Sequence, residues 1–528
     1  MAYVLTCDDP GLSKAPFLAL KNVSFPDQKE IEALEYYLQH FVWEKLQRTD
    51  QEIPYPYGVY GTPDWFTNRD PQRRAKITNK NLDKMHVWRS YDYPHIVMLY
   101  FHMYEIAKKY PGMSKYLSAS DYLQRAYNTA RAFYQYPYEI MPDYYETYKW
   151  GLYNELTVLN LIIALRNEGF SDQANWLRNE WEKKVKYFVY DDPYPFRSEY
   201  AFDRTAFESS YAFAKYGSTH EMTPDTNLWW DLKYKRWYSH PAVKKEDSRE
   251  FMDRQLAAAL TVRGWLEPNF YQLGADPGLS YMAAMGGWGI LDYGLNFADK
   301  PDDWLQLGYA SFLSSWSLVN AGPPENDYGY WFPGKENDGA AGWQFMAAKF
   351  GHAWMGADVP RGPWHYDGEI DLGFSGALRS AATVVSRDEI FGWVAYGGRL
   401  AMSGGSLKVI PRDGLRQRFD VVIPNDQIPW RSYRRFKVAL DRDGFAANEI
   451  VELDTNLRKI SLPIENRTRD IHLTELRLSF PTGERYEVRQ YGAKLDLTPT
   501  GDWDYPWHVL VKMDGESKLE ITRVEARP

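Results

Sequence analysis

The spacing of apolar residues changes period once along this chain, and that change limits the fold more than any other feature. From about residue 27 to 355 the period is helical: QKEIEALEYYLQHFVWEKLQ sets Ile31, Leu34, Leu38, Phe41 and Val42 on one stripe at intervals of three and four. Similar runs follow near 93–109, 119–135, 149–168, 171–188, 199–216, 248–263, 279–297, 302–319 and 339–354. The breaks carry turn formers, as in Tyr110-Pro111-Gly112 and Gly322-Pro323-Pro324. After Gly373 apolar and polar residues alternate in short runs between Gly-rich turns. The first is AATVVSRDEIFGWVAYGGRLAMSGGSLKVIPRD; RQRFDVVIP, RRFKVAL, EIVELD, RKISLPIE, LTELRLSFP, YEVRQYG, HVLVKM and KLEITRV follow. A period of two places one face of each run on a core. These patterns predict an α+β multidomain chain. Residues 1–372 are read as an α/α toroid of stacked helical hairpins that forms the catalytic domain, and 373–528 as an antiparallel β-sandwich. No strict repeat of fixed length is visible, which argues against a regular solenoid.

Composition narrows the function. Aromatic residues make up 16% of the chain, with 21 Trp and 41 Tyr, far more ring surface than an aliphatic core needs. Rings that are apolar on the face and polar at the tip suit partly exposed clefts. A pyranose is a natural guest there, with C–H groups on one face and hydroxyls around its rim. The net charge of −9, without a basic stripe, disfavours nucleic acid. No run of about eighteen apolar residues is present to span a membrane. Cys7, the single cysteine, forms no internal disulfide and fits no zinc pattern. HExxH, the P-loop, the dinucleotide fingerprint and GxSxG are absent, so neither a metal nor a cofactor is expected. A lone calcium loop would leave only a weak mark. MAYVLTCDDPG lacks the basic start and long apolar stretch of a secretory leader.

One stretch concentrates chemistry. In HVWRSYDYPHIVMLYFHMY, residues 86–104, Pro94 suits the first turn of a helix capped by Asp92 or Tyr93. His95, Leu99 and His102 then share a face, while Trp88, Arg89 and Tyr91 lead in. TYKWGLYNELTVLNL puts Trp150, Tyr153, Asn154 and Glu155 at the start of another apolar helix. In RSEYAFDRTAFESSYAFAKYG, Arg204, Glu208 and Tyr211 fall on one helical face. Asn269 and Tyr271 sit among glycines, and Trp331 lies in a Gly/Asn/Asp loop. For any one of these aromatics, core packing is the simpler account; their clustering at helix ends points to a cleft.

Two reactions fit such a cleft. Glycoside hydrolysis needs a pair of carboxyl groups, for which Asp92, Glu155, Glu199, Asp203, Glu208 and Glu267 are available, with no pair standing out. Elimination acts on a uronic acid, whose C5 proton becomes acidic once a cation or strong donor holds the carboxylate. A Tyr or His then takes that proton and another group protonates the departing O4. In this reading Arg89 and Asn154 hold the carboxylate, His95 and Tyr211 share base and acid duties, and Arg204 tunes the tyrosine. Trp88, Tyr91, Glu208, Asn269, Tyr271 and Trp331 bind substrate. A non-catalytic glycan-binding protein is the third possibility.

The segments CDDPGLSKAPFLALKN, PYPYGVYGTPDWFTNRDP, HVWRSYDYPHIVMLYFHMY and FDRTAFESSYAFAKYG resemble a family of large bacterial and fungal proteins known as a domain of unknown function. That family is similar to polysaccharide lyase family 27, whose members release terminal L-rhamnose from glucuronate caps. The resemblance implies a secreted or periplasmic lyase acting on a uronate-containing glycan, with a further β-rich region before the helices. It carries over no catalytic positions.

Overall fold

The structure is a computed structural model that describes residues 12–59, 90–140, 147–198, 201–203, 206–222, 224–231, 236–240, 242–260, 277–320, 351–352, 358–359, 374–426 and 432–524. The chain divides into two compact units, one comprising Met1–Asn22, Asp27–Gly289 and Leu313–Ala377, the other Val23–Pro26, Ile290–Phe312 and Leu378–Pro528.

The first unit is helical. Its described helices include α1 (Lys14–Ser24), α2 (Gln28–Tyr37), α3 (Asp92–Lys109), α4 (Ala119–Ile140), α5 (Thr157–Asn167), α6 (Ser171–Lys186), α7 (Phe207–Thr219) and α8 (Lys245–Ala258). Successive helices pack in pairs, α3 on α4, α5 on α6 and α7 on α8. The stripe read from the sequence of α2 is the face it buries, through Ile31 and Leu34 and on to Leu38, Phe41 and Val42 in the turn that follows. Asp27 caps α2 by accepting the Lys29 and Glu30 amides. α3 is buried on nearly every side, from Asp92 to Tyr104. A helix with this much apolar surface belongs in a core.

Four expectations need correction. The helix expected from residue 149 begins only at Thr157, because Asn154 takes a left-handed conformation (φ 56°) that ends any helical path through it. The helix expected from 199 begins at Phe207 and carries Glu208 and Tyr211 in its first turns, while Arg204 lies outside the described residues. A two-stranded hairpin, β1 (Asp225–Asp231) and β2 (Arg236–His240), lies where the periodicity gave no element. A further short pair, β3 (Gly351–His352) and β4 (Asp358–Val359), stands within the last expected helix and just beyond it.

The second unit holds two sheets. Their strands are β5 (Thr383–Asp388), β6 (Gly392–Tyr396), β7 (Gly398–Ser403), β8 (Ser406–Pro411), β9 (Arg418–Pro424), β10 (Tyr433–Leu440), β11 (Gly444–Phe445), β12 (Val451–Asp454), β13 (Lys459–Glu465), β14 (His472–Ser479), β15 (Tyr486–Gln490), β16 (Ala493–Leu495), β17 (Thr498–Pro499), β18 (Trp507–Met513) and β19 (Glu516–Arg523). One sheet runs β17-β18-β14-β10-β9-β5-β6 and the other β16-β15-β19-β13-β12-β8-β7, with β11 pairing β13. Both contribute to one apolar core, with Phe419, Val421 and Phe436 from the first and Ile460, Leu462 and Ile521 from the second. The pairing is antiparallel except between β5 and β9, which run parallel, a departure from the expected sandwich. The β5 and β9 part of the first sheet is buried on its other face too. Val384 and Val422 meet Leu291 and Leu295 of α9 (Pro277–Asn296) and Leu305 of α10 (Pro301–Asn320). Arg435 of β10 donates to the carbonyls of Leu295 and Ala298 at 2.8 Å each, closing the end of α9. A short helix, α11 (Phe374–Arg379), precedes β5.

Candidate functional site

The start of α3 organises the site. The helix begins at Asp92 with Tyr91 at its cap, and Pro94 occupies its first turn, where the missing N–H has no helical partner to lose. This places His95 inward, with no solvent exposure. The Asn154 amide nitrogen lies 3.0 Å from His95 Nδ1, and Ser13 Oγ lies 3.3 Å from the same atom. The Asn154 amide nitrogen can only donate, so the neutral ring accepts at Nδ1 and carries its proton on Nε2. In that tautomer His95 offers an N–H, suited to gripping an anionic oxygen or protonating a leaving one.

Asn154 is held by its neighbours. Asparagine tolerates the left-handed region better than most side chains. The turn around it is fixed by Glu155, whose carboxylate accepts the Leu152 amide at 3.1 Å and pairs with Lys184. Lys184 also donates to the Trp150 carbonyl at 2.7 Å, and both ionic side chains are fully buried. Burial pushes the Glu155 carboxyl up and the Lys184 ammonium down, each opposed by the charge of the other. Glu155 is therefore committed to the architecture of this turn, which removes one carboxylate from those open to hydrolysis.

Rings and hydroxyls surround this contact. Tyr153 stacks on His95 at 6.0 Å between centroids, and Tyr91 packs against Tyr153 at 5.4 Å and Trp150 at 5.9 Å. The Tyr91 hydroxyl meets Ser198 Oγ, and Ser198 donates to Asp203 at 2.8 Å. Glu208 is buried in the first turn of α7, and its neighbour Ser209 donates to the Leu152 carbonyl. Tyr211 is fully buried one turn on, edge-on to Trp288 at 5.5 Å and close against Gly289. The structure thus brings His95 and Asn154 into direct contact, with Tyr91 in the same ring cluster, and seats Tyr211 against Trp288. Arg89, Trp88, Arg204, Asn269, Tyr271 and Trp331 lie outside the described residues. His102 is occupied by Glu105, 2.7 Å from its Nδ1.

Ser13, Lys184 and Ser198 belong to this arrangement and were not foreseen. A lone serine or lysine carries no spacing signal, and each meets its partner across at least 29 residues of chain, for Lys184 and Glu155, and as many as 107, for Ser198 and Tyr91. Among the described residues no group of three His, Cys, Asp or Glu side chains is placed to hold a metal ion. No described helix is long and apolar enough to cross a membrane.

Residues 7–229, less than half of the chain, match a family described as "Family of unknown function (DUF5695)", and the four segments that carry the resemblance fall within that range. No curated protein matches the chain. Among solved structures, a GH127 beta-L-arabinofuranosidase from Geobacillus Stearothermophilus T6 is similar at 12% identity and a TM-score of 0.29, over 98% of this chain and 72% of that one.

Proposed function

We propose that the helical unit is an α/α toroid and that the chain is a carbohydrate-active lyase, cleaving a glucuronate-containing glycan by β-elimination. Rhamnosyl-glucuronate caps are the substrate that the sequence resemblance favours. The observation that carries the reading is the contact of Asn154 with His95 Nδ1 at 3.0 Å. It joins two of the residue types that elimination requires and leaves the imidazole as a donor toward a developing aci-carboxylate. In this proposal Arg89 and Asn154 hold the uronate carboxylate, His95 donates, and a tyrosine moves the C5 proton, with Tyr211 the candidate named from the sequence and Arg204 its tuning charge. The successive pairing of helices supports the toroid.

The test is product chemistry. Purified protein given a uronate-capped gum should generate the ultraviolet absorbance of an unsaturated uronate, and His95→Ala should lower that rate by about a hundredfold or more. Reducing sugar released without that absorbance would instead select a glycoside hydrolase using two carboxylates. Sugar binding without turnover would select a non-catalytic glycan-binding protein.

A further inference from the structure

Tyr91, Ser198 and Asp203 form a hydroxyl chain that the reading above leaves unused. We propose that Tyr91, in place of Tyr211, is the catalytic tyrosine of this site and that Ser198 and Asp203 are the positioning residues that carry its proton away. The proposal rests on the elimination reading and specifies which side chain performs its hardest step.

The direction of the chain follows from counting hydrogens. Ser198 has one hydroxyl hydrogen and gives it to Asp203 Oδ2 at 2.8 Å. The contact between the Tyr91 hydroxyl and Ser198 Oγ must then be donated by Tyr91. Every link points the same way, from a buried phenol through a buried serine to a carboxylate that accepts and, when ionised, cannot donate. Tyr91 and Ser198 are 3% and 1% exposed, whereas Asp203 is partly open to solvent.

Such a chain removes the main obstacle to tyrosine as a base. A phenol ordinarily ionises near pH 10, and a buried phenolate is costlier still. Here the oxygen never has to carry a full charge. As it takes the C5 proton, its own hydrogen passes to Ser198 Oγ, and the serine hydrogen passes to Asp203 Oδ2. The C5–H electron pair becomes the C4=C5 double bond, and the C4–O4 pair leaves on O4. The same chain run backward returns one proton to O4, so Asp203, Ser198 and Tyr91 end as they began and no further reactant is needed.

Location supports the assignment. The Tyr91 ring packs on Tyr153, which stacks on His95, so phenol and imidazole belong to one cluster. Asp203 is held by an unusual backbone. Phe202 before it has φ 58°, a conformation rare for a bulky side chain, and is fixed by its amide on the Phe196 carbonyl at 3.0 Å and by an edge-on contact with the Phe196 ring at 5.7 Å.

Kinetics of the full chain on a uronate-capped glycan test this. Tyr91→Phe and Asp203→Asn should each lower kcat by about a hundredfold with little change in KM. The double variant should lose no more than either alone, because the two act as one device. Ser198→Thr should recover most of what Ser198→Ala loses. Rates in mixtures of light and heavy water should follow a bowed line for the wild type, with several protons in flight, and a straight line for Asp203→Asn. A folded Tyr91→Phe that keeps wild-type kcat, or losses that multiply in the double variant, would overturn the relay while leaving elimination intact. A wild type that forms no unsaturated product overturns the elimination reading and the catalytic role of Tyr91 with it.

Discussion

Asp192 lies in surroundings that favour its protonated form. Burial raises its carboxyl to about 6, against the opposing Tyr194 amide and the charges of Arg197 and Lys149. The folded state therefore holds a proton that the unfolded chain releases near pH 4, and stability falls as pH rises from about 4 to 6. Asp192→Asn should stabilise the protein at neutral pH by on the order of 2 kcal/mol and change little below about pH 4, as read from denaturant unfolding at the two pH values. Glu105 behaves in the opposite sense. Burial works against its charge, but Lys109 at 3.5 Å and His102 at 2.7 Å outweigh it and bring the carboxyl down to about 2. Its contribution is complete above about pH 4.5 and disappears as pH falls toward 2, so His102→Gln should reduce acid resistance over that window. At this scale the sequence identified residue types well and partners poorly. His95 and Asn154 were both picked out for their chemistry, yet a contact across 59 residues leaves no trace in local spacing.

Among the elements, one buried carboxylate secures the helical unit. Glu35, in α2, accepts from Ser114 Oγ and the Lys115 amide at 2.7 Å, the Tyr116 amide at 2.8 Å and the Tyr122 hydroxyl at 3.0 Å. It thereby fixes the connection from α3 to α4. Glu35→Ala would leave several of these donors unsatisfied, with an expected cost of about 3 kcal/mol. Glu35→Gln keeps the shape and should cost less, a ranking that thermal unfolding of the two variants checks. Strands such as β12, β14, β18 and β19 were legible because they keep one face on a core, so a period of two shows through. The parallel pairing of β5 with β9 was not, since periodicity sets which face is buried and says nothing about the neighbour. The helix misread at 149 has a similar cause. Apolar spacing runs through Asn154, and the left-handed turn there is set by the Glu155–Lys184 pair, which arrives from a distant helix.

At the scale of the whole molecule, the change of period marks where strands begin but does not bound the second unit. That unit also takes in Ile290–Phe312, whose Leu291, Leu295 and Leu305 cover Val384 and Val422 on the outer face of its first sheet. Residues 378–528 expressed alone would expose Val384 and Val422, and Arg435 would lose its Leu295 and Ala298 carbonyls. Such a fragment should unfold over a broad denaturant range and bind an apolar dye, and joining 290–312 to it should restore a sharp transition. Helical segments assigned from their own periodicity look alike whether they pack on helices or on a sheet, which is why this membership was invisible beforehand.

The scattered make-up of that second unit also sets an order of events during synthesis. Its helical cover leaves the ribosome long before the strands it rests on, since residues 313–377 come between. At translation speeds of about 5–20 residues per second, the apolar side of Ile290–Phe312 waits for seconds with no sheet to settle against. A nascent chain in that interval presents an adhesive surface, and a cell making this protein quickly would need something to shield it.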